Sequence, residues 1–161
     1  MAKPMIFHIP TDKGLLASVG EVALRHEHLN YVLRMTIKTL ARLEVAEVLD
    51  ATSYDSTSQI RERVKKLARR RLGEGAPLLK LQALLERCKR ATERRNDLIH
   101  SVWGQELDGS PARMGSGQDL RPIPSVTELV NLAADMMQLT AELNEARFGG
   151  FLQEALDQRP A

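Results

Sequence analysis

Between Glu93 and His100 the chain places an arginine, an amide and a histidine close together: Arg95, Asn96 and His100. At roughly 100° of rotation per residue, Asn96 and His100 fall one turn apart on one side of a helix, and Arg95 flanks them toward the core. Imidazole is the side chain suited to moving protons near neutral pH, and guanidinium grips phosphate through parallel hydrogen bonds. Together they suit phosphodiester cleavage. His100 takes the proton of a ribose 2′-hydroxyl, or returns one to the leaving 5′-oxygen, while Arg95 stabilises the phosphorane-like transition state. Asn96 would orient the phosphate or the imidazole. This chemistry calls for no metal and no cofactor. One histidine cannot easily be base and acid at once, so a homodimer that sets two such segments face to face is the expected form.

Arg95 is also anomalous as a structural residue. Leu81, Leu84, Leu85, Cys88, Ala91, Leu98, Ile99 and Val102 recur with helical spacing, and Arg95 falls on that stripe, seven residues after Cys88 and seven before Val102. An arginine stays ionised when buried, so it needs an acceptor: a carboxylate, a partner subunit or a phosphate. The competing reading is purely structural. Arg95 would pair with a first-helix carboxylate, and His100 would cap carbonyls at the helix end, where the dipole favours a cation.

Three further groups bear on this chemistry. His26 lies on the first helix's apolar stripe and reads first as a hydrogen-bonded core histidine. A zinc site from His26, His28 and His100 is not expected, because i and i+2 face apart on a helix. The segment from Arg61 to Arg71 holds seven basic residues and one acid. Lys65, Lys66, Arg69 and Arg70 are therefore the candidate RNA-binding strip, set against the alternative of a solvated helix face. Trp103 is the one nearby candidate for stacking on a base, or else packs under a loop.

The elements that must position these residues follow from periodicity and caps. A first helix is predicted over Leu15–Leu49, after a short extended lead containing Pro4 and Pro10. A second is predicted over Ser58–Leu72, closed by Gly73. A third opens near Pro77, carries the Arg95 segment and runs to about Trp103, with Gly104 as its stop. Residues 104–124 hold Gly109, Pro111, Gly115, Gly117, Pro122 and Pro124, and read as a long loop or small hairpin with a turn at Asp108–Gly109. Ser125 to Glu128 resembles a capping box opening a fourth helix to Arg147, followed by an amphipathic tail, Phe151–Leu156. The expected fold is all-α: one domain over residues 1–161, a four-helix up-down bundle.

Composition agrees. The chain of 161 residues has few aromatics and abundant Leu, Ala, Arg and Glu, which favours packed helices. The single cysteine, Cys88, excludes an intramolecular disulfide and reads as a core thiol. A net charge of +2 leaves no global attraction for nucleic acid. No segment approaches the roughly 20 apolar residues of a membrane span, so no membrane association is expected and the cytoplasm is the expected location.

The segment Arg95-Asn96-Asp97-Leu98-Ile99-His100 resembles the motif of the HEPN superfamily, an arginine followed by a polar residue and, a few positions on, a histidine on the third helix of a four-helix bundle. The resemblance implies that Arg95, Asn96 and His100 are the catalytic set of a metal-independent endoribonuclease of a toxin or antiphage system, with two motifs lining one cleft of a dimer. It also implies a supporting polar residue from the first helix, for which Glu27, Asn30 and His26 are the candidates, RNA as substrate, and an antitoxin or other protein as a further partner. Members include non-catalytic nucleotide- or protein-binding modules, which is the first alternative; a structural helical bundle is the second.

Overall fold

In the computed structural model, which describes residues 4–117 and 119–159, six helices share the chain with a small antiparallel sheet. Residues 1–3, 118, 160 and 161, which belong to the predicted lead, loop and tail, lie outside the described residues. The elements run β1 (Met5–Phe7), α1 (Lys13–Ala41), α2 (Val45–Ala51), α3 (Thr57–Leu72), α4 (Ala76–Ile99), β2 (Val102–Glu106), β3 (Pro111–Met114), β4 (Leu120–Arg121), α5 (Val126–Arg147) and α6 (Phe151–Asp157). The protein is mostly helical, and the expectation of an all-α chain is corrected by the sheet.

Local signals account for most boundaries. The Asp12 carboxylate accepts from the Leu15 N–H at 2.9 Å to open α1. Capping boxes of Ser56 with Gln59 and of Ser125 with Glu128 open α3 and α5. Gly73, at φ 65°, ends α3 in a conformation that glycine adopts without strain. The predicted first helix, Leu15–Leu49, is divided. Arg42 turns left-handed at φ 55°, and Glu44 opens α2 in a capping box with Glu47. The apolar rhythm continues across this break, so periodicity alone did not reveal it.

The break redirects the chain. Arg147 Nε donates to Thr39 Oγ1 at 3.0 Å, which sets the C-terminal ends of α1 and α5 together. Asp12, Leu15, Gly104, Pro122 and Ile123 line one cavity at their N-terminal ends. The Lys80 ammonium sits 5.7 Å over the Phe151 ring, so α4 begins at the far end and runs opposite to α1 and α5. A three-residue turn makes α3 antiparallel to α4, hence parallel to α1. Strict up-down alternation of four helices does not hold: residues 42–56, with α2, bring the chain back before α3 starts.

The core is continuous through the long helices. Leu29, Leu33 and Leu40 of α1, Ile60 and Val64 of α3, Leu78, Leu81 and Cys88 of α4, and Leu132, Met136, Leu139 and Leu143 of α5 are buried together, and Leu152 of α6 closes one end. Burial pushes the Cys88 thiol up to about 12, as expected of a core cysteine. No helix of the described residues is long and apolar enough to cross a membrane.

The sheet, in order β1-β2-β3-β4, takes β1 from the predicted lead and its other strands mostly from the region predicted as a loop or hairpin. The third helix does not reach Trp103. It stops at Ile99 with His100 as its cap, and Val102–Glu106 becomes β2. Gly104 is not a helix stop but a strand residue, paired with Phe7, where any side chain would collide with the Ile6 carbonyl. Asp108–Gly109 forms the β2–β3 turn as its composition predicts, with Gly109 at φ 89° and the Asp108 carboxylate accepting from the Ser110 N–H at 2.8 Å.

Candidate active site at the end of α4

The last two turns of α4 carry the motif, and the sheet builds a wall beside them. Asp97, one residue past Asn96, is the fastener. Its carboxylate forms an ion pair with Arg113 Nη1 of β3 at 2.9 Å and accepts from Arg121 Nη1 of β4 at 2.8 Å. Arg113 and Arg121 are cross-strand neighbours, and Asp97 offsets their mutual repulsion. Arg113 also donates to Ser101 Oγ at 3.1 Å and to the Pro122 carbonyl at 3.1 Å. The hairpin is thereby tied to the helix end.

Asn96, Asp97, His100, Ser101, Gly115 and Ser116 line a pocket of about 260 Å³ between the helix end and the β3–β4 turn. His100 is exposed there, and its backbone N–H closes the last helical turn on the Asn96 carbonyl at 2.9 Å. Arg95 does not line this pocket. Half-buried on the inner side of α4, it reaches the pocket through its neighbour: Arg95 Nη1 donates to Asn96 Oδ1 at 3.0 Å. Arg95 is thereby joined to the Asn96 amide, and Asn96 and His100 both line the pocket.

No carboxylate pairs with Arg95 among the described residues, and its Nε is buried without an acceptor. The purely structural reading required a first-helix acid as partner, and none holds this guanidinium. His26 instead occupies the place across from it. The imidazole, 3% exposed, sets Nε2 3.2 Å from Thr92 Oγ1 of α4, and its Nδ1 has no hydrogen-bond partner. Burial, and then the positive charge of Arg95, push the His26 pKa below its ordinary value, while Glu27 opposes and Arg61 adds to the depression. His26 is a core histidine held against α4 at Thr92, one turn before Arg95.

The other predicted supporting residues stand farther back. Glu27 is exposed, with Oε1 4.0 Å from His26 Nδ1. Asn30 is half-buried and its Oδ1 lacks a donor. Trp103 belongs to β2 and is half-buried, with its indole N–H donating to the Leu98 carbonyl at 2.9 Å.

The basic strip is not brought to the motif. Lys65 of α3 and Gln82 of α4 line one groove, and Lys66, Arg69 and Arg70, which are exposed, lie level with that groove or beyond it toward the α3–α4 turn. At 1.5 Å per residue, Gln82 and His100 are about 27 Å apart along α4. Arg61, one residue from Ile60, is the member of α3 that approaches the motif: its charge acts on both His26 and Cys88. Its spacing with Val64 and Ala68, which are buried, was the available signal. Asp97, Arg113 and Arg121 carried no such signal, since the pairing of residues 16 and 24 positions apart is set by the hairpin.

Compared with known proteins, the chain matches no family model, no curated protein and no solved structure.

Proposed function

We propose that the protein is a metal-independent endoribonuclease of HEPN type, a cytoplasmic homodimer whose α1, α3, α4 and α5 form a HEPN-like four-helix bundle and whose substrate is RNA. The observation that carries this reading is the grouping of Arg95, Asn96 and His100 at the end of α4. A guanidinium without a carboxylate partner is joined through an amide to a small polar pocket that holds an exposed imidazole. His100 removes the 2′-hydroxyl proton, the oxygen attacks the adjacent phosphorus, and the 5′-oxygen leaves with a proton from a second His100 supplied by the partner copy. Arg95 offsets the charge that accumulates on the phosphorane. The products are a 2′,3′-cyclic phosphate and a free 5′-hydroxyl. A toxin or antiphage role, with an antitoxin or other protein as restraint, extends the same reading.

The test is RNA cleavage in EDTA by the wild-type protein and by folded His100→Ala, with the 3′ ends analysed for cyclic phosphate. Cleavage by the wild type that disappears in the variant is expected. Cleavage unaffected by His100→Ala, or no cleavage of any of several RNAs, overturns the proposal. The latter result, with phosphate binding retained, leaves a binding module.

A further inference from the structure

The His100 pocket is built from two stretches of chain, and only one of them carries the motif. Asn96, Asp97, His100 and Ser101 come from the end of α4, and Gly115 and Ser116 come from the β3–β4 turn. That turn is held at several points. The Gly115 N–H donates to the Asp119 carbonyl at 3.4 Å, and Arg121 bridges the Asp119 carboxylate at 2.6 Å and the Asp97 carboxylate at 2.8 Å. The Arg121 guanidinium lies against Gly115, where a Cβ would stand 3.8 Å from its Cζ. Tertiary contacts therefore bring Ser116, sixteen positions beyond His100, to the same pocket.

The polar groups of the pocket divide into those that are satisfied and those left over. Both Asp97 carboxylate oxygens are taken, one by Arg113 at 2.9 Å and one by Arg121. The Ser101 hydroxyl donates to the Asp97 carbonyl and accepts from Arg113 at 3.1 Å. Asn96 Oδ1 accepts from Arg95 Nη1, which leaves the amide NH2 without an acceptor. The Ser116 hydroxyl and the His100 ring form no hydrogen bond among the described residues. An amide NH2, a hydroxyl and an imidazole remain, and each can donate whichever ring nitrogen carries the proton. These three share a pocket of about 260 Å³ in which the acid is paired with arginines, and Arg95 adds a positive charge that no carboxylate offsets. Several spare donors around one cavity, with positive charge behind them, suit a tetrahedral oxyanion.

We propose that Ser116 is a phosphate-binding residue of this pocket: its hydroxyl and the Asn96 amide donate to the non-bridging oxygens of one phosphate group and hold it beside His100. That the phosphate is the scissile phosphodiester of RNA rests on the ribonuclease reading; the binding of a phosphate group does not. On that reading the hairpin belongs to the active site, and the Asp97 fastening is what keeps Ser116 at the pocket.

The experiment follows the His100 ring resonances by NMR at constant pH and ionic strength in wild type, Ser116→Ala and Ser116→Thr. Inorganic phosphate is added in one series and a 2′-O-methyl RNA oligonucleotide, which cannot be cleaved, in another. Ser116 is exposed, so neither substitution disturbs the core. Both ligands should shift His100 in the wild type. Ser116→Ala should weaken binding by about tenfold to a hundredfold, the loss of one hydrogen bond to a charged group, and Ser116→Thr, which keeps the hydroxyl, should restore it to within about threefold. In cleavage assays in EDTA, Ser116→Ala should raise KM by the same factor with kcat little changed, because the contact is made in substrate and transition state alike. An unshifted His100 with both ligands overturns the site, as does binding that Ser116→Ala leaves unchanged. A response to inorganic phosphate alone supports a site for free phosphate, and a response to the oligonucleotide, with or without phosphate, supports the RNA backbone as the source. Ser116-dependent binding without cleavage sinks the ribonuclease and keeps the site, whereas His100-dependent cleavage with a KM indifferent to Ser116 does the reverse.

Discussion

Replacing Arg95 by methionine separates a functional arginine from a structural one. The substitution keeps most of the aliphatic stem, so packing on the inner side of α4 changes little. It removes the hydrogen bond to Asn96 Oδ1, a net loss of about 0.5–1.5 kcal/mol, and removes the buried Nε–H that has no acceptor, a relief of about 1–3 kcal/mol. Relief exceeds loss. In a buffer free of phosphate and other oxyanions, Arg95→Met should be more stable than wild type by about 0.5–1.5 kcal/mol, a rise in Tm of about 1–5 °C for a domain of this size. RNA cleavage should disappear in the same preparation. Histidine NMR gives a second readout: with the Arg95 charge gone, the His26 pKa should rise toward its ordinary value, while burial still holds it low. Denaturation of Arg95→Met several degrees below wild type would refute this reasoning and return Arg95 to a structural role.

Two other consequences are open to measurement. His26 titrates in the folded state below its ordinary value of 6.5, so the unfolded chain takes up a proton that the folded chain refuses. The stability contributed by the neutral imidazole is complete above pH 6.5 and is lost as pH falls below it, with a slope approaching about 1.4 kcal/mol per pH unit. His26→Gln should flatten the stability profile just below pH 6.5, and an unchanged slope in denaturant titrations would exclude His26 as its source. Asp97→Ala should loosen the hairpin without unfolding the helices. Arg113, 12% exposed at its side chain, loses its charged acceptor and keeps Ser101 and Pro122, a local cost of about 1–3 kcal/mol. Amide exchange over β2 and β3 should accelerate by about 10–100-fold while helix amides change little, and unaltered exchange would show that the sheet holds itself.

Most of the helical framework was legible in the residues themselves. Gly73, Pro77, Ser125 and the apolar spacing placed α3, α4 and α5 to within a few positions, because caps and periodicity act over one or two turns. The same local logic marked Arg95, Asn96 and His100, and it marked the turn at Asp108–Gly109. Tertiary contacts decided the rest. The break at Arg42 leaves the apolar pattern intact, so the direction of α3 depended on how the core closed. Gly104 became a strand residue because β1, nearly 100 residues earlier in the chain, lies against it. The basic strip looked like a partner of the motif along the sequence, yet α3 runs its charges away from His100 and delivers only Arg61 to where its charge acts on His26. Which charges meet, and which are left without a partner, is a property of helix direction and burial, and no pattern of spacing within one element contains it.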